Sequence, residues 1–280
     1  MYDLEQLKSH LKDHGWMVAK LPNPEPIYQA RTALLQELRS LTGQNIARLE
    51  SYHEIVPNDQ IHTKWQIELT NFFRQERFGP VIIKENLPFF RELLGPDLNV
   101  QSNPYLRITR PGKPQDNIGY HRDTFYGGSP FELSVLVPYV DVSRESSLSI
   151  LSGYHLRPES DFPTTQVQSK EVTKGSPKHK LGFLYAPKII DSVCLEDLEP
   201  IPLKLGEVLI FTLATVHGSE ENRGHISRWS SDIRVMNALA PVDLSSRPDY
   251  YEKLSRSVVT ELAQSYHQSQ DSVAFSLPRG

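Results

Sequence analysis

The sequence predicts a mainly-β protein with flanking helices, a β-sandwich packed by N-terminal helices. Three observations support this. Helical spacing dominates up to about residue 94. From about 104 to 240 the character changes to short apolar runs between Pro/Gly turns, as in an all-β core. A last helical stretch is expected over 247–268.

The elements follow in order. Residues 3–13 read as a helix, and 15–21, Gly15-Trp16-Met17-Val18-Ala19-Lys20-Leu21, as a strand. Residues 25–41 form an amphipathic helix, with Ile27, Ala30, Ala33, Leu34, Leu38 and Leu41 near helical spacing. Further helices are expected at 60–77, ending in Arg74-Gln75-Glu76-Arg77, and at 84–94. Aromatics on these helices are read as core. In the β region, Ile118 to Asp123 reads as a short strand between loops 111–117 and 126–130. Residues 206–214 read as a Gly-led turn feeding a buried strand, whose end delivers His217.

The segment 155–200 is less regular. It carries Pro158, Pro163, Pro177, Pro187 and Pro200 and the basic patch Lys178-His179-Lys180. It is either a lid or a solvated excursion with a short hairpin. As a lid, it would bring Lys178 and Lys180 to an anionic substrate handle.

Composition narrows the class. One domain over 1–280 is favoured: a helix-rich support (1–100), a core (101–240) with the lid-like insertion, and a C-terminal helix and tail (241–280). The hydrophobic fraction of 38% suffices for a sizeable core. A net charge of −4 gives no electrostatic case for nucleic acid or an anionic membrane. The single cysteine, Cys194, excludes an internal disulfide framework and suits a reducing cytoplasm; it reads as a small apolar residue, not a nucleophile. The start, Met1-Tyr2-Asp3-Leu4-Glu5-Gln6, lacks the pattern of a signal peptide, and no apolar run reaches membrane-spanning length.

The chemistry-bearing residues are His121 and Asp123, with His217 far downstream. Two histidines and a carboxylate are the ligand set of the 2-His-1-carboxylate facial triad of Fe(II) sites. In a strand, side chains i and i+2 leave the same face, roughly 6.6 Å apart. His121 and Asp123 therefore converge while Arg122 points away, and the fold must bring in His217. A His-x-Asp pair alone is weak, since ten histidines and 34 acidic residues produce such pairs by chance. Its flanking loops and the buried run before His217 add weight.

Downstream, Arg228-Trp229-Ser230-Ser231-Asp232-Ile233-Arg234-Val235 alternates. Arg228, Ser230, Asp232 and Arg234 share one face. That face is either in solvent or lines a polar cavity, with one planar guanidinium clamping a carboxylate. Beside the metal motif the cavity is favoured.

The chain resembles the phytanoyl-CoA dioxygenase-like branch of the Fe(II)/2-oxoglutarate-dependent oxygenases. The matching pieces are Tyr105-Leu106-Arg107-Ile108, Pro111-Gly112, His121-Arg122-Asp123, residues 132–139 and 148–155, His217-Gly218-Ser219 and Arg228. They span roughly residues 100–240. The set is specific and no single piece is. The chain departs from the family at Ser146-Ser147-Leu148 and Leu151-Ser152-Gly153-Tyr154-His155, where a Gly-x-Leu and a Pro-Gly-Ser-His turn are usual. His155 reads as a loop residue, not a ligand.

The resemblance implies a double-stranded β-helix (jelly-roll, cupin-like) core with iron between two antiparallel sheets. His121, Asp123 and His217 would hold Fe(II). Arg228 would bind the distal carboxylate of 2-oxoglutarate, helped by Ser219, with Tyr105 or Arg107 completing the pocket. With O2 the family oxidises a C–H bond, releasing succinate and CO2. A carboxylate at Asp123 argues for hydroxylation, desaturation or ring closure and against halogenation. The expected substrate is a small molecule of specialised or surface-glycan metabolism; a carrier protein is not indicated. Tyr126 and Arg234 are candidate substrate contacts, as are Arg122, Thr124 and Phe125. Two other readings stand beside this one: a Zn or Mn metalloenzyme without 2-oxoglutarate, and a non-catalytic binding protein on the same scaffold. Arg228 discriminates, because a metal site without a cosubstrate has little need of a carboxylate clamp.

Overall fold

The computed structural model describes residues 4–165, 188–190, 195–219, 221–245 and 247–274. The chain begins with α1 (Leu4–His14) and β1 (Trp16–Lys20), then α2 (Glu25–Thr42). Helix α2 buries Ile27, Ala30, Leu34 and Leu38 at the expected spacing. It ends at Gly43, whose left-handed φ of 67° lets its N–H close on the Arg39 carbonyl. Next come α3 (Tyr52–Ile55), α4 (Asp59–Gln75), α5 (Phe78–Lys84) and α6 (Leu87–Leu94). Asn58 caps α4 by accepting from the Ile61 N–H.

The strands are β2 (Leu98–Gln101), β3 (Tyr105–Thr109), β4 (Glu132–Pro138), β5 (Leu148–Ile150), β6 (Glu199–Ile201), β7 (Glu207–Thr212), β8 (His217–Gly218), β9 (Arg228–Asn237) and β10 (Tyr251–Ser255). Helix α7 (Val258–Ala274) follows. A seven-stranded sheet has the order β1-β7-β4-β9-β2-β10, with β3 also paired to β9. A three-stranded sheet has the order β6-β5-β8. Every pairing between these strands is antiparallel.

Strand β7 of the large sheet is buried on both faces. On β7, Val208 and Ile210 pack with Ile27, Leu34 and Leu38 of α2 and Phe73 of α4. Their neighbours Leu209 and Phe211 meet Ile150, Ile201 and Leu203 from the small-sheet side. A strand covered on both faces reads as a continuous apolar run, which is why 207–213 stood out in the sequence.

Five expectations are corrected. The helix expected at 84–94 is α6, which begins only at Leu87, because residues 85–86 separate it from α5, whose last residue is Lys84. Asn86 holds the break by donating Nδ2 to the Ile82 and Asn23 carbonyls, each at 2.9 Å. The helix expected at 247–268 starts only at Val258, since 251–255 form β10 on the edge of β2, where their backbone groups find partners. The start of α7 is marked by Ser257, whose hydroxyl accepts from the Thr260 N–H. The β-region begins at β2, before residue 104. Residues 118–123 are not a continuous strand: only His121 bridges, to His217, and Asp123 opens a 3-10 turn through Tyr126. His217 does not end the buried strand either. A turn at 213–216 separates it from β7 and carries it into the small sheet.

Of 155–200, the described parts form short 3-10 turns and a Thr164–Ile189 bridge. Lys178, Lys180 and Cys194 lie outside the described residues. Among the described residues, no helix is long and apolar enough to cross a membrane.

Candidate metal centre

His121 and His217 face each other across the gap between their loops. The His121 N–H donates to the His217 carbonyl and the His217 N–H to the His121 carbonyl, both at 3.0 Å. Glycine makes this approach possible. A Cβ on Gly218 would stand 2.8 Å from Tyr120 Cα and 2.9 Å from the Gly119 carbonyl carbon. The tight 3-10 turn then swings Asp123 toward both imidazoles. Its Oδ1 lies 3.5 Å from His121 Nε2 and 3.7 Å from His217 Nε2. All three side chains are buried, and their ligand atoms lie within 4.8 Å of one another. Among the described residues they are the one such group of metal-binding side chains.

The tautomers are set from behind. His121 Nδ1 lies 2.7 Å from the Gly119 carbonyl and His217 Nδ1 2.9 Å from the Thr215 carbonyl. A carbonyl only accepts, so each Nδ1 carries the hydrogen and each Nε2 presents its lone pair to the shared space. Burial pushes the His217 pKa down to about 4, against the pull of Asp123, so the ring is neutral. Burial by itself would raise the Asp123 pKa. Arg234, His217 and His121 outweigh it and hold the carboxyl well below the usual range. Two imidazoles with their Nε2 atoms aimed at one point, beside an ionised carboxylate, fit a divalent first-row ion.

The triad sits in the wall of a cavity of about 340 Å³. The inward face of β9 supplies Arg228, Ser230, Asp232 and Arg234 to the same cavity, while Trp229, Ile233 and Val235 enter the core behind it. Arg228 is buried, and its Nη1 donates to the Ser146 carbonyl at 2.8 Å. Burial pushes its pKa down to about 10, with Asp232 countering and Arg107 adding to the depression. Its Nε has no hydrogen-bond partner. Ser219, Tyr105 and Arg107 also line the cavity. The Ser219 hydroxyl donates to Asn117 Oδ1 at 2.7 Å. Arg107 stands 3.9 Å from Asp232, and Arg74 stacks over the Tyr105 ring at 4.2 Å.

Tyr126 and Arg234, expected to meet substrate, both turn to the Asp123 carboxylate. The Tyr126 hydroxyl donates to Oδ1, and Arg234 forms an ion pair with Oδ2. Arg122 points away from the cavity. It donates to the Tyr154 and Arg157 carbonyls and lies 4.0 Å over the Phe162 ring. Phe125 packs in the same apolar cluster as Phe162. His155 bonds the Lys12 carbonyl and stands apart from the triad.

Two polar networks at the cavity wall escaped the sequence reading. Asp116 accepts from Arg110 Nε and Nη2 at 2.8 Å each and stands 3.5 Å from His62, which bonds the Tyr52 hydroxyl. Glu132, fully buried on β4, accepts from Arg247 at 2.8 Å and from the Tyr251 hydroxyl. Their members come from distant segments, so no local spacing marks them. The one local signal was Asp116 itself, an acid in a Pro/Gly-rich loop just before the His-x-Asp pair.

No protein-family model and no curated protein matches this chain. Solved structures do. EvdO2 from Micromonospora carbonacea var. aurantiaca, complexed with 2-oxoglutarate, is 14% identical with a TM-score of 0.49, covering 89% of this chain and 96% of that one. The apo form of ThoJ, described as a non-heme monooxygenase, is 17% identical with a TM-score of 0.52. Its Ni complex is 16% identical with a TM-score of 0.54. Each covers 90% of this chain and 84% of the other. At this identity the likeness to the two ThoJ structures is one of fold, extending along most of both chains.

Proposed function

We propose that this protein is a non-haem Fe(II)/2-oxoglutarate-dependent oxygenase of the phytanoyl-CoA dioxygenase-like branch, with its sheets forming a double-stranded β-helix around the iron. The observation that carries this reading is one cavity shared by a pre-oriented His121–Asp123–His217 set and a buried arginine, Arg228. A site built for a metal alone has no use for Arg228, whose fork matches a carboxylate. Bound iron, together with 2-oxoglutarate and O2, supplies the oxidation of a C–H bond.

The residues then divide the work. His121, Asp123 and His217 hold the ion. Arg228 receives the distal carboxylate of 2-oxoglutarate, with Ser219, Tyr105 and Arg107 shaping that end. The remaining cavity, past Gln101, Tyr126 and Tyr250, takes a small-molecule substrate and keeps water from it. Asp123 fills the carboxylate position, which favours hydroxylation or a related oxidation over halogenation. The single cysteine of the sequence accords with a reducing cytoplasm.

The test is anaerobic titration of the Fe(II)-loaded protein with 2-oxoglutarate, following the weak visible charge-transfer band of the chelate. The wild type should develop the band. Arg228→Ala should need at least about tenfold more 2-oxoglutarate, roughly 1.4 kcal/mol or more, while binding metal as the wild type does. Metal binding without any band would point to a Zn or Mn enzyme. No metal binding would leave a non-catalytic binding protein.

A further inference from the structure

We propose that Arg234 is a positioning residue that makes Asp123 a one-oxygen metal ligand and so keeps a coordination position open. The inference rests on the metal-site reading above and is independent of the choice of cosubstrate.

The two oxygens of a free carboxylate are equivalent, and beside a cation both can bind it. Here their surroundings differ. Oδ1 faces His121 Nε2 and His217 Nε2 at 3.5 and 3.7 Å. Oδ2 faces the Arg234 guanidinium in a buried ion pair. An oxygen engaged by a fixed cation is a poor second ligand, because the incoming ion would have to displace that cation. The Tyr126 hydroxyl donates to Oδ1 and leaves that oxygen a further lone pair for a metal. A chelating carboxylate would close one of the positions that the facial triad leaves open for small molecules.

The backbone of Arg234 is fixed by its strand, and its head group is buried. It lies on β9, between β4 and β2, with its Cα paired to Ser134. Its backbone N–H donates to Gln101 Oε1 at 3.1 Å. Its Nη1 is buried without a hydrogen-bond partner, and Asp123 is its closest acidic partner. Arg110 and Arg247, by contrast, serve Asp116 and Glu132 away from the metal ligands. Lysine is a poor substitute at this position, because its ammonium is a compact charge on a flexible stem and holds Oδ2 less firmly than a guanidinium does.

The experiment is Co(II) titration of the full-length metal-free protein without 2-oxoglutarate, read by affinity and by the visible d–d spectrum, which reports coordination number. Arg234→Met should bind Co(II) roughly tenfold to a hundredfold more weakly. Its spectrum should shift toward the weaker bands of higher coordination. Arg234→Lys, which retains the charge and guards against misfolding of the Met variant, should recover part of the affinity but not the wild-type spectrum. Wild-type affinity and spectrum in Arg234→Met or Arg234→Lys would overturn the proposal. A wild type that binds no Co(II) would overturn the metal site with it. A missing 2-oxoglutarate band with these Co(II) results intact would sink only the cosubstrate.

Discussion

Single residues on β9 show how one strand serves two purposes. Arg228 and Trp229 are neighbours whose side chains leave opposite faces. Arg228 enters the cavity, while Trp229 is fully buried and donates its indole N–H to the Leu49 carbonyl at 2.9 Å. Trp229→Phe removes that bond, leaving the carbonyl only the Tyr52 N–H, and opens a void against Tyr52, a loss of about 2–3 kcal/mol. Thermal melting should register it, while Co(II) affinity stays near that of the wild type. Alternation made this division legible from residues 228–235 alone, as chemistry did for His121, Asp123 and His217. The engagement of Arg234 and Tyr126 with Asp123 was not legible. Facing the cavity follows from periodicity, but the partner chosen there depends on the turn at 123–126.

At the level of elements, the short β8 decides the geometry of the centre. Gly218 lets it approach residues 119–120 at backbone contact distance. Gly218→Ala places a methyl group against main chain that no side-chain rotation can clear. The 121–217 bridge should open, with Co(II) affinity at least about tenfold lower, close to the loss expected from disturbing a metal's outer supports. Unchanged affinity would show that the bridge does not set the ligand spacing. The helices α2 and α4 and the strands β1 and β7 were readable because their periods are strong. The break at residues 85–86 that delays α6 to Leu87, and the edge strand β10, were not. Residues 251–255 carry no alternation of their own, and their pairing with β2 is a tertiary fact. Likewise, the 213–216 turn carries His217 from one sheet to another, and a run of apolar residues does not reveal it.

For the whole molecule, burial of neutral histidines sets the response to acid. His62 and His217 both have pKa values pushed down to about 4, with burial the largest cause. In the unfolded chain each returns to about 6.5. Below pH 6.5 the unfolded metal-free chain therefore takes up protons that the folded one refuses. Stability falls with pH from about 6.5 toward 4, with a limiting slope of about 1.4 kcal/mol per pH unit for each histidine. Protonation of Asp123, whose folded pKa is depressed, acts in the same direction below about pH 4. Denaturant midpoints of the metal-free protein should show this decline, and a flat profile between about pH 6.5 and 4.5 would contradict the burial of these rings.

The paired backbone bonds between His121 and His217 also bear on time. They close a loop that spans the middle of the chain, and contacts of such sequence separation form late in folding. A nascent chain that has not yet emerged past residue 217 holds only His121 and Asp123 of the three ligands, too few to retain an ion against water. Metal uptake would then complete an already assembled sheet pair instead of nucleating it, so a bound ion would report on a finished fold.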